Sequence, residues 1–259
     1  MPRLTPSQVA PFPTAPVEVA KRLAARRAVD EHVRSGMLLG VGSGSTIVYA
    51  IQRLAELAAG SPPLQVTCVP TSFQSRNLLV DCGLPLSDLN AAPELDLALD
   101  GADEVDARLD CIKGGGACQT QEKLVAAAAA RFVVIADARK MAPGGLGSTW
   151  RRGVPIEVLP GAYVPVSRAL ARLGGAPVLR MGREKAGPVV TDNGGLVLDA
   201  DFGVIAEPRA LHERIKALPG VVETGIFAGM AEAAYFGCED GSVVVWGRGG
   251  KPGEPRVLA

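Results

Sequence analysis

The sequence predicts an α/β protein, a parallel-sheet domain joined to a second, smaller α+β domain. Three observations predict it. Short apolar runs, MLLGVG at 37–42, LQVTCVP at 64–70, residues 95–100 and FVVIAD at 132–137, alternate with helical stripes. That is the pattern of strands buried on both faces of a parallel sheet. Beyond residue 149 the order changes to β-α-β-β-α-β, the pattern of a ferredoxin-like split unit. Finally, 259 residues with 47% hydrophobic and 21% charged content suit one large or two modest globular domains. The expected division is a flexible leader at 1–15, a first domain at 16–148 plus 229–250, and a smaller one at 149–228.

Residues 1–15 hold four prolines and no apolar core of a signal peptide. Val19, Leu23, Ala24, Ala28 and Val29 then form a helical stripe that ends at Ser35-Gly36. MLLGVG is a buried strand running into GSGST (42–46), and the next helix starts at Ile47. The second strand ends at Pro70, and Thr71 or Ser72 caps the helix after it. EKLVAAAAAR (122–131) is a strong helix former before the strand 132–137. In the second domain come a strand at VPIEVLP (154–160), a helix over 164–173 and a strand at APVLRMG (176–182). A hairpin turning at Asp192-Asn193-Gly194, a helix at PRALHERIKALPG and a last strand near VVETGIF (221–227) complete it.

Zero formal net charge leaves no long-range field for nucleic acid or an acidic membrane. No run of about 20 apolar residues is present to span a bilayer. The five cysteines are scattered without a CxxC pair, which points away from zinc ribbons and dithiol redox sites and toward a reducing, cytoplasmic setting. Cys111 and Cys118 flank a glycine loop; the simpler reading of both is small apolar filler.

The chemistry concentrates in residues 95–123. An apolar strand ends in Asp100, followed by Asp103, Glu104, Asp106 and Asp110; then come Lys113, Gly114, Gly115, Gly116 and Glu122 at a helix start. Acids delivered to the carboxyl end of a strand, then a glycine loop and a helix, are how open α/β sheets build active sites. The turn at 42–46 lacks the third glycine of GxGxxG, since Ile47 stands there, and has no Walker lysine. It remains a nest of small residues and amides suited to a phosphate monoester, or a plain strand–helix turn.

Three readings compete for the acids. A Mg²⁺ or Ca²⁺ site is one, but an EF-hand loop from Asp100 has Ala102 at its second ligand position, and the only histidines are His32 and His212. A solvated acidic loop is another, and it leaves Lys113, three glycines and Glu122 unexplained. The third is proton transfer beside a carbonyl, with Glu122 as base. Lys113 and the 114–116 amides then serve as oxyanion donors, and Asp100 or Asp103 moves a hydroxyl proton. The helix dipole would lower the basicity of Glu122, so neighbouring charges or burial must offset it.

GVGSGST (40–46), PTSFQS (70–75), DLALDGADEVD (96–106), IKGGGACQTQEK (112–123), VVIADARK (133–140), VPIEVLP, PVVTDNGG (188–195) and PGVVETGIFAGMAE (219–232) occur in one order along the chain. Together they resemble the type A ribose-5-phosphate isomerase family from about Val17 to Val245. The resemblance implies a Rossmann-like domain with an α+β partner, no metal or organic cofactor, and a homodimer or larger homo-oligomer. It implies an aldose–ketose isomerase acting on a small phosphorylated sugar, with Glu122 as base and Asp100, Asp103 and Lys113 on the sugar. Ser43, Gly44, Ser45, Thr46, Gly101, Ala102, Gly114, Gly115, Gly116 and Lys140 are the implied substrate contacts. Ser43, Gln121 and Glu232 stand where the family often has threonine, arginine and aspartate. A sugar-phosphate-sensing regulatory domain of related fold is the alternative, and a coenzyme A transferase of similar fold is a weaker one.

Overall fold

The computed structural model describes residues 13–247 and the backbone of 256–258. The expected leader therefore lies almost wholly outside the described residues. The chain divides into two compact units. One takes the chain up to Gly101, Gln121–Arg139 and the chain from Ala231; the other takes Ala102–Thr120 and Lys140–Met230.

The first unit is built on a seven-stranded sheet. Strands β1 (Leu38–Val41), β2 (Thr67–Pro70), β3 (Leu97–Asp100), β6 (Phe132–Asp137) and β13 (Ala233–Gly237) pair in parallel, in the order β2-β1-β3-β6-β13. β14 (Val243–Gly247) and β15 (Arg256–Leu258) extend it antiparallel. Helix α1 (Pro16–His32) packs its alanine-rich stripe on α2 (Ile47–Ala58) and on β6 and β13. Ala24, Ala28, Leu39, Ile51, Leu97 and Ile135 lie wholly buried in that core. Helix α3 (Phe73–Asp81) is capped by Ser72, whose hydroxyl accepts from the Ser75 amide while Ser75 reaches back. From β1 the chain moves outward to β2 on one side, and β3, β6 and β13 follow on the other. The carboxyl ends of β1 and β3 therefore flank the reversal of strand order, where open α/β sheets bind ligands.

The second unit holds β8 (Val154–Val158), α5 (Tyr163–Arg172), β9 (Ala176–Leu179), β10 (Leu196–Asp201), α6 (Pro208–Lys216) and β11 (Val221–Thr224). The sheet order β11-β8-β10-β9, antiparallel throughout, is the split βαβ arrangement that the pattern predicts. Ile156, Val158, Val166, Leu170, Leu198 and Ile215 fill its core. A small second sheet joins β4 (Glu104–Asp106), β5 (Cys111–Ile112), β7 (Met141–Ala142) and β12 (Ile226–Phe227).

Two local expectations change. The first arm of the hairpin at 188–190 makes only isolated bridges, Met181 to Pro188 and Val190 to Leu196, and β10 pairs instead with β8 and β9. Pro188 has no N–H to donate to a ladder. VVETGIF is two strands rather than one. Gly225 accepts the Lys113 amide and donates to Pro155, so β11 joins β8 and β12 joins β5.

Candidate active site

In the first unit the site residues gather after β1 and β3. Gly42 leaves β1 in contact with the Asp100 carboxylate; a β-carbon at Gly42 would lie 1.9 Å from Asp100 Oδ1. That oxygen accepts from the amides of Gly101 (2.7 Å) and Ser43 (3.1 Å). Asp100 is thereby buried to 3% exposure and locked to the loop that follows β1. The Ser43 hydroxyl bonds Thr71 Oγ1 (2.7 Å) and Ser72 Oγ (2.6 Å), and Gln74 Oε1 receives the Gly44 amide (2.8 Å). Gly44 turns the loop at φ +102°, where a side chain is disfavoured. Ser45 and Thr46 then open α2, whose first amides have no helical acceptor.

Sequence reading misses a lysine here. Lys21 projects from α1, almost wholly buried, and its ammonium donates to Ser45 Oγ (2.9 Å) and Glu18 Oε1 (2.6 Å). A helix N-terminus, a small-residue turn and a buried ammonium are groups from which anion sites are built. Nothing within VEVAKRLAARR marks Lys21 apart from its basic neighbours. Glu122 lies in the first turn of α4 (Gln119–Ala128), three residues into the helix rather than at its start, and is 5% exposed.

In the second unit Asp103 and the glycine loop come together. The Gly115 amide donates to Asp103 Oδ2 at 2.6 Å, and the Asp103 amide donates to Ile112 O at 2.8 Å. The loop turns with Gly114 at φ +100° and with Ala117 at φ +63°, a left-handed conformation unusual for alanine. Lys113 is 2% exposed, and its ammonium lies 5.4 Å from the Phe227 ring centroid. Arg180, a second residue missed in the sequence, donates to the carbonyls of Gly114 (2.9 Å) and Gly115 (3.1 Å) and forks onto Asp199. Holding the loop by its carbonyls fixes the directions of its amides. Lys140 stands against Trp150, its ammonium 5.3 Å from the ring centroid, with Arg152 on the same ring at 5.1 Å.

The other acids of the cluster bind backbone. Glu104, wholly buried, accepts from the amides of Gly147 (2.5 Å), Thr149 (2.6 Å) and Trp150 (3.0 Å) and from the Thr149 hydroxyl (2.7 Å). Asp106 accepts from the amides of Arg108 and Asp110, and Asp110 from Gly229. Burial pushes the Asp106 carboxyl above its usual range. Among the described residues no group of three or more His, Cys, Asp or Glu is arranged to hold a metal ion.

The chain matches the family ribose 5-phosphate isomerase A (phosphoriboisomerase A) over residues 67–241. It is 56% identical to the human ribose-5-phosphate isomerase over 235 residues, 90% of this chain and 75% of the human one. This chain belongs to the ribose-5-phosphate isomerase A family. The Eremothecium gossypii ribose-5-phosphate isomerase is 53% identical over 248 residues, 92% of this chain and 97% of that one. Among solved structures, a D-ribose-5-phosphate isomerase in complex with phospho-erythronic acid superposes with a TM-score of 0.85 at 38% identity, over 90% of this chain and 99% of that one. The ribose 5-phosphate isomerase A of Methanocaldococcus jannaschii gives 0.81 at 38% identity, over 93% and 98%. Family membership agrees with the fold described above: a Rossmann-like parallel sheet and a ferredoxin-like unit.

Proposed function

We propose that the chain interconverts D-ribose 5-phosphate and D-ribulose 5-phosphate through an enediol. The observation that carries the proposal is the order of groups along one short stretch of a family member: Asp100 locked beside Gly42, Asp103 on the Gly115 amide, buried Lys113, and buried Glu122 in the first turn of α4. In the open-chain aldose, the Glu122 carboxylate removes the proton from C2. The electron pair moves toward C1, and negative charge gathers on the former carbonyl oxygen, O1. The Lys113 ammonium and the amides of Gly114, Gly115 and Gly116 stabilise that charge. Glu122 returns its proton to C1 while a proton passes from O2 to O1 through Asp100 or Asp103, giving the ketose. Atoms and electrons balance without an external oxidant or an organic cofactor.

Ser43, Gly44, Ser45 and Thr46 take the phosphate, with Lys21 beside Ser45 supplying charge; Gly101, Ala102 and Lys140 are further substrate contacts. The same reading makes the protein a cytoplasmic homodimer of the pentose phosphate pathway. Five free thiols fit a reducing compartment, and among the described residues no helix is long and apolar enough to cross a membrane. Light scattering reads the oligomer.

Glu122→Gln tests the assignment of the base. It keeps the size of the side chain and removes its basicity, so turnover is expected to fall about 10²-fold or more with the fold intact. Turnover near wild type would remove Glu122 from the role.

A further inference from the structure

Two of the motifs carrying the family resemblance, VPIEVLP and PVVTDNGG, have no part in the chemistry above, yet they meet at one buried carboxylate. Glu157 lies within β8 at 0% exposure. Its oxygens accept from Thr191 Oγ1 (2.5 Å), from Asn193 Nδ2 (3.2 and 3.1 Å) and from the Thr120 hydroxyl. Thr191 in turn accepts the amides of Asn193 (3.2 Å) and Gly195 (3.0 Å). A β-carbon at Gly195 would lie 2.5 Å from Glu157 Oε1, so the TDNGG turn closes directly over the carboxylate. Buried polar oxygens are retained where donors satisfy them, and here two hydroxyls and a carboxamide do so. Two of those three donors fold a turn. The third, Thr120, belongs to α4.

Thr120 is the second residue of α4, and Glu122 follows two residues later, roughly 3 Å along the helix axis. A helix start is where backbone bonding is incomplete and fraying begins. Thr120 ties that start to β8, an inner strand of its sheet, flanked by β10 and β11. We propose that Glu157 is a positioning residue for the general base, holding the first turn of α4 through the Thr120 hydroxyl and so setting the reach of Glu122. The proposal rests on the isomerase reading and adds to it a residue that touches neither substrate nor reacting atoms. A displacement of a reacting group by about 1 Å costs on the order of 10²-fold in rate. A loosened first turn therefore lowers kcat while leaving phosphate and hydroxyl contacts, and hence KM, largely in place.

Thr120→Val is the primary test, since it keeps the β-branched shape and removes only the donor. Intact sites are counted calorimetrically with phospho-erythronic acid, and kcat for ribose 5-phosphate is expressed per site. Thr120→Val is expected to lower kcat per site at least about 10-fold with KM changed less than about 3-fold, and Thr120→Ser to restore it. Glu157→Gln is expected to lower kcat per site as well. The double variant is expected to be no slower than the slower single one, as for groups acting through one link. Thr120→Val turnover per site within about twofold of wild type would overturn the proposal. So would a loss of activity matched by a loss of sites, the mark of a purely structural role. Wild-type protein that binds phospho-erythronic acid but forms no ribulose 5-phosphate would overturn the isomerase reading itself, and this proposal with it.

Discussion

Gly42→Ala adds one carbon where the structure has no room for it. The new atom would lie 1.9 Å from Asp100 Oδ1, 2.0 Å from its Cγ and 2.6 Å from its Cβ, so the carboxylate or the β1 loop must move. Movement of the carboxylate breaks its bonds to the amides of Ser43 and Gly101, each worth roughly 1.5 kcal/mol or more to a charged acceptor. Overpacking strain of about 1–3 kcal/mol comes in addition. A total of about 4–6 kcal/mol follows from those figures. Gly44→Ala is the internal control. Its β-carbon meets nothing within 4 Å, and only the φ of +102° resists it, at about 1–2 kcal/mol. Urea unfolding at constant slope measures both differences, and turnover with ribose 5-phosphate measures the effect on Asp100. Gly42→Ala is expected to lose most turnover as well as stability. Equal destabilisation by the two variants, or a stable Gly42→Ala with full turnover, would refute the role of this close approach.

Asp199→Asn should weaken the hold on the glycine loop, since it leaves the largely buried Arg180 guanidinium without its carboxylate. Breaking one partner of such a pair costs about 3–5 kcal/mol when fully buried and less here. A rise in KM and a lower urea midpoint are expected, and an unchanged KM would detach Arg180 from loop positioning. His32 predicts a pH dependence of stability. Burial, then the Arg131 guanidinium bonded to its Nδ1 (2.8 Å), holds its pKa below the ordinary value. The unfolded chain therefore binds the proton more readily, and stability present above about pH 6.5 is lost as pH falls through the folded value. His32→Gln should flatten that part of the pH profile in urea titrations between pH 5 and 8; an identical slope would remove His32 as its source.

The first unit was legible because its signals are local. Each parallel strand is an apolar run, and Asp100 ends one of them; in the second unit the remaining acids, Lys113 and the glycines fall within one short stretch of chain. Ser72 is a cap by residue type alone, and the structure uses it as one. What escaped notice depends on pairing between distant residues. Lys21 meets Ser45 across 24 positions, Thr120 meets Glu157 across 37, and Arg180 meets Gly114 across 66. A lysine on a helix stripe or a glutamate within a strand carries no local mark of such a partner. The DNG turn was legible as a turn, whereas the choice of strands beside it belongs to the whole sheet, where β10 has β8 and β9 available. The acid run shows the same limit. Asp100 and Asp103 are indistinguishable by type from Glu104, Asp106 and Asp110, and in the structure all five accept backbone amides, Asp100 from Ser43 and Gly101 and Asp103 from Gly115.

The central claim is enediol proton transfer without a metal, and NMR in D₂O tests it most directly. Purified protein is incubated with EDTA and ribose 5-phosphate until the sugar phosphates reach equilibrium. Ribulose 5-phosphate with solvent deuterium at C1 is expected, and Glu122→Gln should form both about 10²-fold more slowly. Ketose formed with no deuterium even at equilibrium, or no ketose at all, would contradict it.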